Sequence, residues 1–243
     1  MQLRHPAKYR FIVFGQGRTG STLLVNLLNS HPDILCEGEL MNPYFWNRIS
    51  RRTLLPLFQR YPLPYFNFKA YTSPGDAYGF KLFADHCRHI QAVVARMHQE
   101  GWRVILVRRQ DTLAQALSSA AALTTHHWHR SEDNPASSIA MILPPDLVLK
   151  RLTHYADGKK LIGLALAGIP YLEITYETDL QDPAAWKYTS ARLLQYLNLP
   201  IKTLSAPMRK TYDQAYPDII RNYSEILDAI RGSGFSSILS ETV

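Results

Sequence analysis

The chain has 243 residues, of which 46% are hydrophobic and 19% charged, so it is long enough to bury a substantial core and sits at the upper edge of one domain. Its apolar stretches are too short to span a bilayer and its basic start precedes no signal-type apolar run, which predicts a soluble, cytoplasmic protein with reduced thiols at Cys36 and Cys87. The net charge of +7 favours an anionic partner, but the scattered basic residues carry no nucleic-acid-binding signature.

Strand and helix patterns alternate along the chain, which predicts an α/β fold with a central parallel sheet flanked by helices. The first strand is predicted at 9–15 and ends in glycine, and the first helix follows at 21–29 and stops at His31-Pro32. Further strands are predicted at 78–83, 103–107 and 169–175, and further helices at 90–99, 112–122, 183–197 and 218–231. The histidines, prolines and small polar residues of 124–145 predict a mobile loop over the site. No repeat or linker divides the sequence, so we assign one domain to residues 1–243.

The strongest local signal is the loop between the first strand and the first helix, GQGRTGST over residues 15–22. Backbone N–H groups and the positive end of the helix dipole converge there, and glycines let the backbone approach an anion closely. We expect phosphate contacts from Gly17, Arg18, Thr19, Gly20, Ser21 and Thr22. Because Ser21 stands where a Walker A motif requires lysine, the loop is not an ATP-and-magnesium loop. The plainer interpretation is an ordinary glycine turn with a Ser/Thr helix cap.

A second candidate anion site lies in the middle of the chain. Arg109 closes the strand RVILV, and Ser118 lies two turns into the helix that follows. Both side chains can face one phosphate, although a surface arginine and a neutral helix serine explain the same residues. Together with the first loop, the pair predicts two anion sites at one edge of a parallel sheet, which would bind opposite ends of one nucleotide.

These segments resemble the sulfotransferases that use 3′-phosphoadenosine 5′-phosphosulfate (PAPS), particularly the bacterial trehalose and nodulation-factor types. GRTGSTLL followed by NSHPDILCEGEL resembles their P-loop-like phosphosulfate-binding loop and the acidic segment after it. VILVRRQDTLAQALSSAAALTTHHWH is similar to their 3′-phosphate element, with Arg109, Gln115-Ala116, Ser118 and Trp128 in the expected order. YGFKL, YLEITYETDLQDP and IIRNYSEIL are less specific matches. The chain departs from the pattern at Arg18, where many cytosolic members have lysine, and at Gln110, where proline is frequent.

The resemblance implies in-line transfer of a sulfuryl group from PAPS to a hydroxyl of a small acceptor, with a carbohydrate or glycolipid favoured and no metal required. Arg18 would neutralise the leaving phosphate oxygen, and Glu39 would be the general base. Glu37 is the competing base. If the segment is extended, both carboxylates would face the same side, and the sequence does not decide between them.

Other residues carry weaker predictions. Lys81 would contact the sulfate or the acceptor, or extend along the strand to solvent. Lys210, beside Arg209, would close over the 3′-phosphate or lie in a surface turn, and Trp128 would stack on a sugar or adenine ring. A metal site at His126, His127 and His129 is rejected because no further ligand has helpful spacing. An aromatic group either lines the acceptor pocket or belongs to the core; it comprises Tyr44, Trp46, Tyr65, Phe66 and Phe68.

Two other functional classes fit parts of the pattern. A nucleotide-dependent kinase or P-loop-type phosphotransferase would use a related sheet, but the missing Walker lysine argues against it. A non-enzymatic anion- or nucleic-acid-binding module would make Glu39 dispensable and give a steep salt dependence. The sequence leaves the acceptor and the oligomeric state open.

Overall fold

The computed structural model of the chain describes residues 7–42, 62–126, 140–207 and 214–240. Its internal contacts divide the chain into two compact units. The first unit comprises Met1–Arg108 and Lys160–Ala206, and the second comprises Arg109–Lys159 and Pro207–Val243.

The elements alternate between strand and helix over the first half of the chain. In chain order they are β1 (Tyr9–Gly15), α1 (Ser21–Asn29), β2 (Ile34–Glu39), α2 (Pro62–Tyr71), β3 (Ala77–Phe83), α3 (Ile90–Gln99), β4 (Trp102–Arg108), α4 (Thr112–Thr125), α5 (Pro145–Ala165), β5 (Tyr171–Thr175), α6 (Trp186–Leu197), α7 (Tyr216–Ile219) and α8 (Tyr223–Arg231). A π-helical turn, Tyr176–Leu180, follows β5, and 3-10 turns occur at Pro183–Ala185 and Ser236–Ser240.

A five-stranded parallel sheet in the order β2-β3-β1-β4-β5 organises the first unit. Its central strands are buried on both faces because successive side chains point to opposite sides. Along β1, Ile12 and Phe14 join one apolar cluster with residues of α2 and α3. Phe11 and Val13 join a second cluster with residues of α1 and α6. The predicted α/β fold with a helix-flanked parallel sheet is therefore confirmed.

The second unit has its own apolar core, which is helical. Leu113, Leu117 and Ala121 of α4 pack in one cluster with Leu152 of α5 and Ile226 of α8. A short parallel bridge between Met141 and Ile220 ties the entry of α5 to the end of α7. The assignment of a single domain to residues 1–243 stays a prediction.

Most predicted elements occur within two residues of their expected bounds, and the exceptions have local causes. The helix expected at 218–231 is two helices, because the chain leaves helical geometry at Ile220 to form its bridge with Met141. The helix expected at 183–197 begins as a 3-10 turn. Three elements were not predicted: β2, α2 and α5.

The loop predicted at 124–145 falls largely on 127–139, which lie outside the described residues; α4 extends to Thr125, and α5 begins at Pro145. Among the described helices, none combines the length and the apolar character needed to cross a membrane.

Candidate active site

The glycine-rich loop joins β1 to α1 and has the backbone geometry of an anion-binding nest. Arg18 and Gly20 adopt left-handed conformations with φ of 63° and 79°. Such turns direct successive backbone N–H groups toward one point, next to the positive end of the α1 dipole. Gly20 is the residue before the helix and offers no side chain to cap it. The Thr19 hydroxyl donates to the Gln16 carbonyl at 2.9 Å, so the one proton of this hydroxyl forms a hydrogen bond within the loop.

Two glycines allow this loop to pack closely against β4 and Tyr176. A Cβ on Gly15 would lie 2.3 Å from the Val107 carbonyl oxygen of β4, and a Cβ on Gly20 would lie 2.6 Å from the Tyr176 ring. Neither distance is tolerated by a real side chain, so the close approach requires glycine. The Gly15 carbonyl also accepts the backbone N–H of Ala84 at 3.0 Å, which ties the loop to the exit of β3.

An ion pair lies beside the start of α1 and joins three elements. Lys81 of β3 donates from Nζ to the Thr22 hydroxyl of α1 at 3.1 Å and to Glu39 Oε1 of β2 at 3.2 Å. Lys81 is only 6% exposed, so its ammonium does not extend to solvent. The alternative interpretation, in which Lys81 extends along the strand to reach solvent, is therefore wrong. Its charge is instead neutralised inside the protein by Glu39.

The expectation that Glu37 and Glu39 face the same side is also wrong. The pairing of β2 with β3 shifts between them, with Glu37 opposite Phe80 and Glu39 opposite Lys81. This bulge adds a residue to β2 and reverses the alternation of side chains after it. Glu37 therefore faces the first apolar cluster and Glu39 faces the side that carries α1.

Glu37 is occupied by partners on its own face. Its Oε1 pairs with Lys69 Nζ of α2 at 2.8 Å, and its Oε2 accepts the hydroxyl of Tyr78. Burial, followed by this hydrogen bond, raises the pKa of the Tyr78 hydroxyl, which keeps it a donor. Glu37 thus holds α2 against β2 and β3, on the face of the sheet away from α1.

Glu39 keeps its negative charge although it is largely buried. Burial alone would raise the pKa of this carboxyl, but Lys81, Asn42 and His86 together hold it below the usual value. Asn42 donates Nδ2–H to Oε2 at 2.7 Å, and His86 Nε2 lies 3.7 Å from the same oxygen. A carboxylate in this setting is ionised at neutral pH and able to accept a proton.

The middle of β2 is held in place by a side chain from α1. Asn29 donates to the Cys36 carbonyl at 2.8 Å and accepts the Cys36 N–H at 2.7 Å. Because β2 is an edge strand, this amide occupies backbone groups that have no neighbouring strand on that side. Sequence reasoning missed Asn29, Asn42 and His86 as parts of the site, since no local pattern connects them to Glu39.

The predicted 3′-phosphate element belongs to the second unit. Arg109 is half-buried and lies two residues before Asp111, the N-cap of α4, whose side chain accepts the Ala114 N–H at 2.7 Å. Ser118 is 5% exposed inside α4, and Lys159 donates from Nζ to the Thr112 hydroxyl at 2.5 Å near the same helix start. The binding of one phosphate by Arg109 and Ser118 stays a prediction.

Several predicted contacts lie outside the described residues, namely Lys210, Trp128, Arg209, His127, His129, Tyr44 and Trp46. Of the aromatic group proposed to line the acceptor pocket, Phe66 is fully buried, with its ring centroid 4.3 Å from that of Phe80. A pocket role for Phe66 is therefore wrong, and it belongs to the core.

Both cysteines are buried and form no disulfide, and burial raises the pKa of Cys87 to about 11.

Comparison with known proteins identifies the family. The model of the Sulfotransferase family matches residues 10–62. Nodulation protein H of Rhizobium tropici is 43% identical over 241 residues, which cover 95% of this chain and 93% of that protein. Nodulation protein H of Rhizobium meliloti (strain 1021) is 27% identical over 227 residues, which cover 89% of each chain. Among solved structures, the sulfotransferase STF9 from Mycobacterium avium shares the fold, with a TM-score of 0.51 at 13% identity over 92% of this chain and 77% of that one. The chain belongs to the sulfotransferase family, together with the nodulation protein H sequences.

Proposed function

We propose that this sulfotransferase uses PAPS as its donor and Glu39 as the general base for an acceptor hydroxyl. The observation that carries the proposal is the ion pair of Glu39 with Lys81, which also donates to Thr22 in the first turn of α1. A base, a buried cation and a helix N-terminus thus lie on one side of the sheet. In the transfer of an anionic group to a hydroxyl, a base takes up the hydroxyl proton, and positive groups stabilise the negative charge of the group transferred.

The proposed reaction is a single displacement at sulfur. The acceptor oxygen attacks the sulfur atom, its proton passes to Glu39, and the bond from sulfur to the bridging phosphate oxygen breaks with its electron pair. The product adenosine 3′,5′-bisphosphate carries that charge away. Arg18 and the backbone of the loop would stabilise the leaving oxygen, and Lys81 would neutralise the transferring group.

The remaining donor contacts and the acceptor class rest on sequence resemblance. Arg109 and Ser118, with Lys210, are proposed to bind the 3′-phosphate, and Trp128 to stack on a ring of the donor or acceptor. A carbohydrate or glycolipid hydroxyl is the proposed acceptor, because the matched motifs are those of carbohydrate sulfotransferases. No metal ion has a role in this proposal.

The decisive experiment separates transfer from donor binding. Purified protein with radiolabelled PAPS is tested on N-acetylglucosamine oligosaccharides, trehalose and 4-nitrophenol, and adenosine 3′,5′-bisphosphate binding is measured by calorimetry. Glu39→Gln should lower turnover by about 10²- to 10⁴-fold with bisphosphate affinity nearly unchanged. Glu37→Gln is the matched control, since its carboxylate faces the other side of the sheet, and it should retain turnover.

Two results would overturn the proposal. Undiminished transfer by Glu39→Gln would remove its base role. Tight binding of ATP with magnesium, but not of the bisphosphate, would indicate phosphoryl rather than sulfuryl chemistry.

A further inference from the structure

His86 lies in the turn that follows β3, and its ring is held from one side by backbone. The Phe83 N–H donates to His86 Nδ1 at 3.3 Å, and the His86 N–H donates to the Phe83 carbonyl at 3.0 Å. The Phe83 ring also packs on the imidazole, with ring centroids 4.9 Å apart. The adjacent Ala84 N–H bonds to Gly15, so this turn is fixed to the start of the anion-binding loop.

The contact from Phe83 decides where the proton of a neutral imidazole resides. A ring nitrogen that accepts a backbone N–H carries no proton, so a neutral His86 must carry its proton on Nε2. That atom lies 3.7 Å from Glu39 Oε2. The separation is slightly beyond hydrogen-bond range, as is common for catalytic contacts before substrate binds.

The surroundings of His86 favour this neutral form. The ionisable groups that face the ring are Asp85 in the same turn, Glu39 at the end of β2 and Lys81 on β3. Burial is the largest influence and lowers the pKa of His86, assisted by Lys81 and opposed by the two carboxylates. The ring therefore acts at neutral pH as a hydrogen-bond donor without a charge.

We infer that His86 is a positioning residue for Glu39, directing its Nε2–H at Oε2 so that the carboxylate keeps the orientation in which Oε1 meets Lys81. The inference rests on the proposed function of Glu39 as the base. Asn42 and His86 then hold one oxygen, and Lys81 holds the other. Such support matters because a small misplacement of a catalytic group costs a large part of its rate.

Two amide substitutions separate this role from a purely structural one. The amide of His86→Gln reaches the place of Nε2 and can donate to Glu39, whereas that of His86→Asn reaches only the place of Nδ1 and can accept from Phe83. His86→Ala removes both contacts. If His86 positions Glu39, kcat should fall about tenfold or more in the Ala and Asn variants and recover in the Gln variant, with the KM for PAPS unchanged.

The pH profile supplies a readout that a loop-anchoring role would not move. Loss of a donor to the carboxylate raises the pKa of Glu39, so the acid limb of kcat/KM should shift to higher pH in His86→Ala and His86→Asn but not in His86→Gln. Rates are measured with whichever of the sugars and 4-nitrophenol accepts sulfate. Recovery by the Asn variant instead of the Gln variant would show that His86 only anchors its turn, and would overturn the inference.

Glu39→Gln distinguishes failure of this inference from failure of the proposed function. In that background His86→Ala should cause no further loss, because the group on which His86 acts is gone. An inactive Glu39→Gln protein beside a fully active His86→Ala protein would refute the inference alone. A fully active Glu39→Gln protein would refute both. Independently of any acceptor, nitrogen NMR of the ring should show an Nε2-protonated neutral His86, and an Nδ1-protonated ring would refute the inference.

Discussion

Replacing Lys81 by methionine tests the energetic weight of the buried ion pair. Methionine keeps most of the length of the side chain but removes the ammonium that faces Glu39 and Thr22. Removing one partner of a buried pair costs about 3–5 kcal/mol, because the other charge stays behind. The Glu39 side chain is 25% exposed and keeps its bond from Asn42, so the lower end, about 3 kcal/mol, applies here. For a chain of this size, that loss lowers Tm by about 6–12 °C.

The assay is urea and thermal unfolding of four proteins in a double-mutant cycle. Lys81→Met combined with Glu39→Gln should be more stable than Lys81→Met alone, because the uncompensated carboxylate is removed. Lys69→Met is the matched control: its pair with Glu37 is more exposed and should contribute no more than about 1 kcal/mol. Strictly additive losses in the cycle would refute the claim that Lys81 and Glu39 are energetically coupled.

Three further predictions concern the loop, the proposed 3′-phosphate site and the charge of Glu39. Gly20→Ala should weaken bisphosphate binding and cost about 1–2 kcal/mol of stability, because a left-handed alanine is strained and its Cβ meets Tyr176; calorimetry and unfolding check both, and unchanged affinity would contradict the loop assignment. Ser118→Ala should raise the Kd for adenosine 3′,5′-bisphosphate with little change in kcat, and an unaltered Kd would remove Ser118 from the donor site. Because the folded-state pKa of Glu39 is lowered, its stabilisation is complete above the pKa of an ordinary glutamate and is lost as pH falls through the folded-state value. Unfolding curves between roughly pH 5 and 3 should therefore show a steeper loss for wild type than for Glu39→Gln, and parallel losses would contradict the lowered pKa.

The loop and its flanking elements were predictable because local chemistry determines them. β1 and α1 occur at their expected bounds, since glycine closes the strand, leucines recur at helical spacing, and His31-Pro32 ends the helix. Glu39 and Lys81 were also selected from the sequence, both through segments that resemble the sulfotransferase family. Their contact follows from the pairing of β2 with β3, which no short segment specifies.

The parts that escaped prediction depend on long-range contacts. ILCEGE in β2 has no clean alternation, because its last carboxylate turns to the other face after the bulge. The helix α5 contains Gly158 and Gly163, which weaken its local signal. His86 lies in a separate turn from Glu39, and only the folded sheet brings them within 3.7 Å. Residues that orient a catalytic group are therefore harder to find from sequence than the group itself.

The extra residue in β2 also bears on how this acidic segment responds to changes of chain length. A Cβ added at Gly38 would meet no heavy atom within 4 Å, so an alanine there meets no steric obstacle. Deleting Gly38 would also keep the ion pair, because Glu39 would then follow Glu37 directly and regular alternation would still place it opposite Lys81, on the side of the sheet that carries α1. The bulge accommodates one extra residue without changing the side of the sheet that Glu39 faces. The number of residues at this point can therefore change by one while the proposed base stays beside its cation.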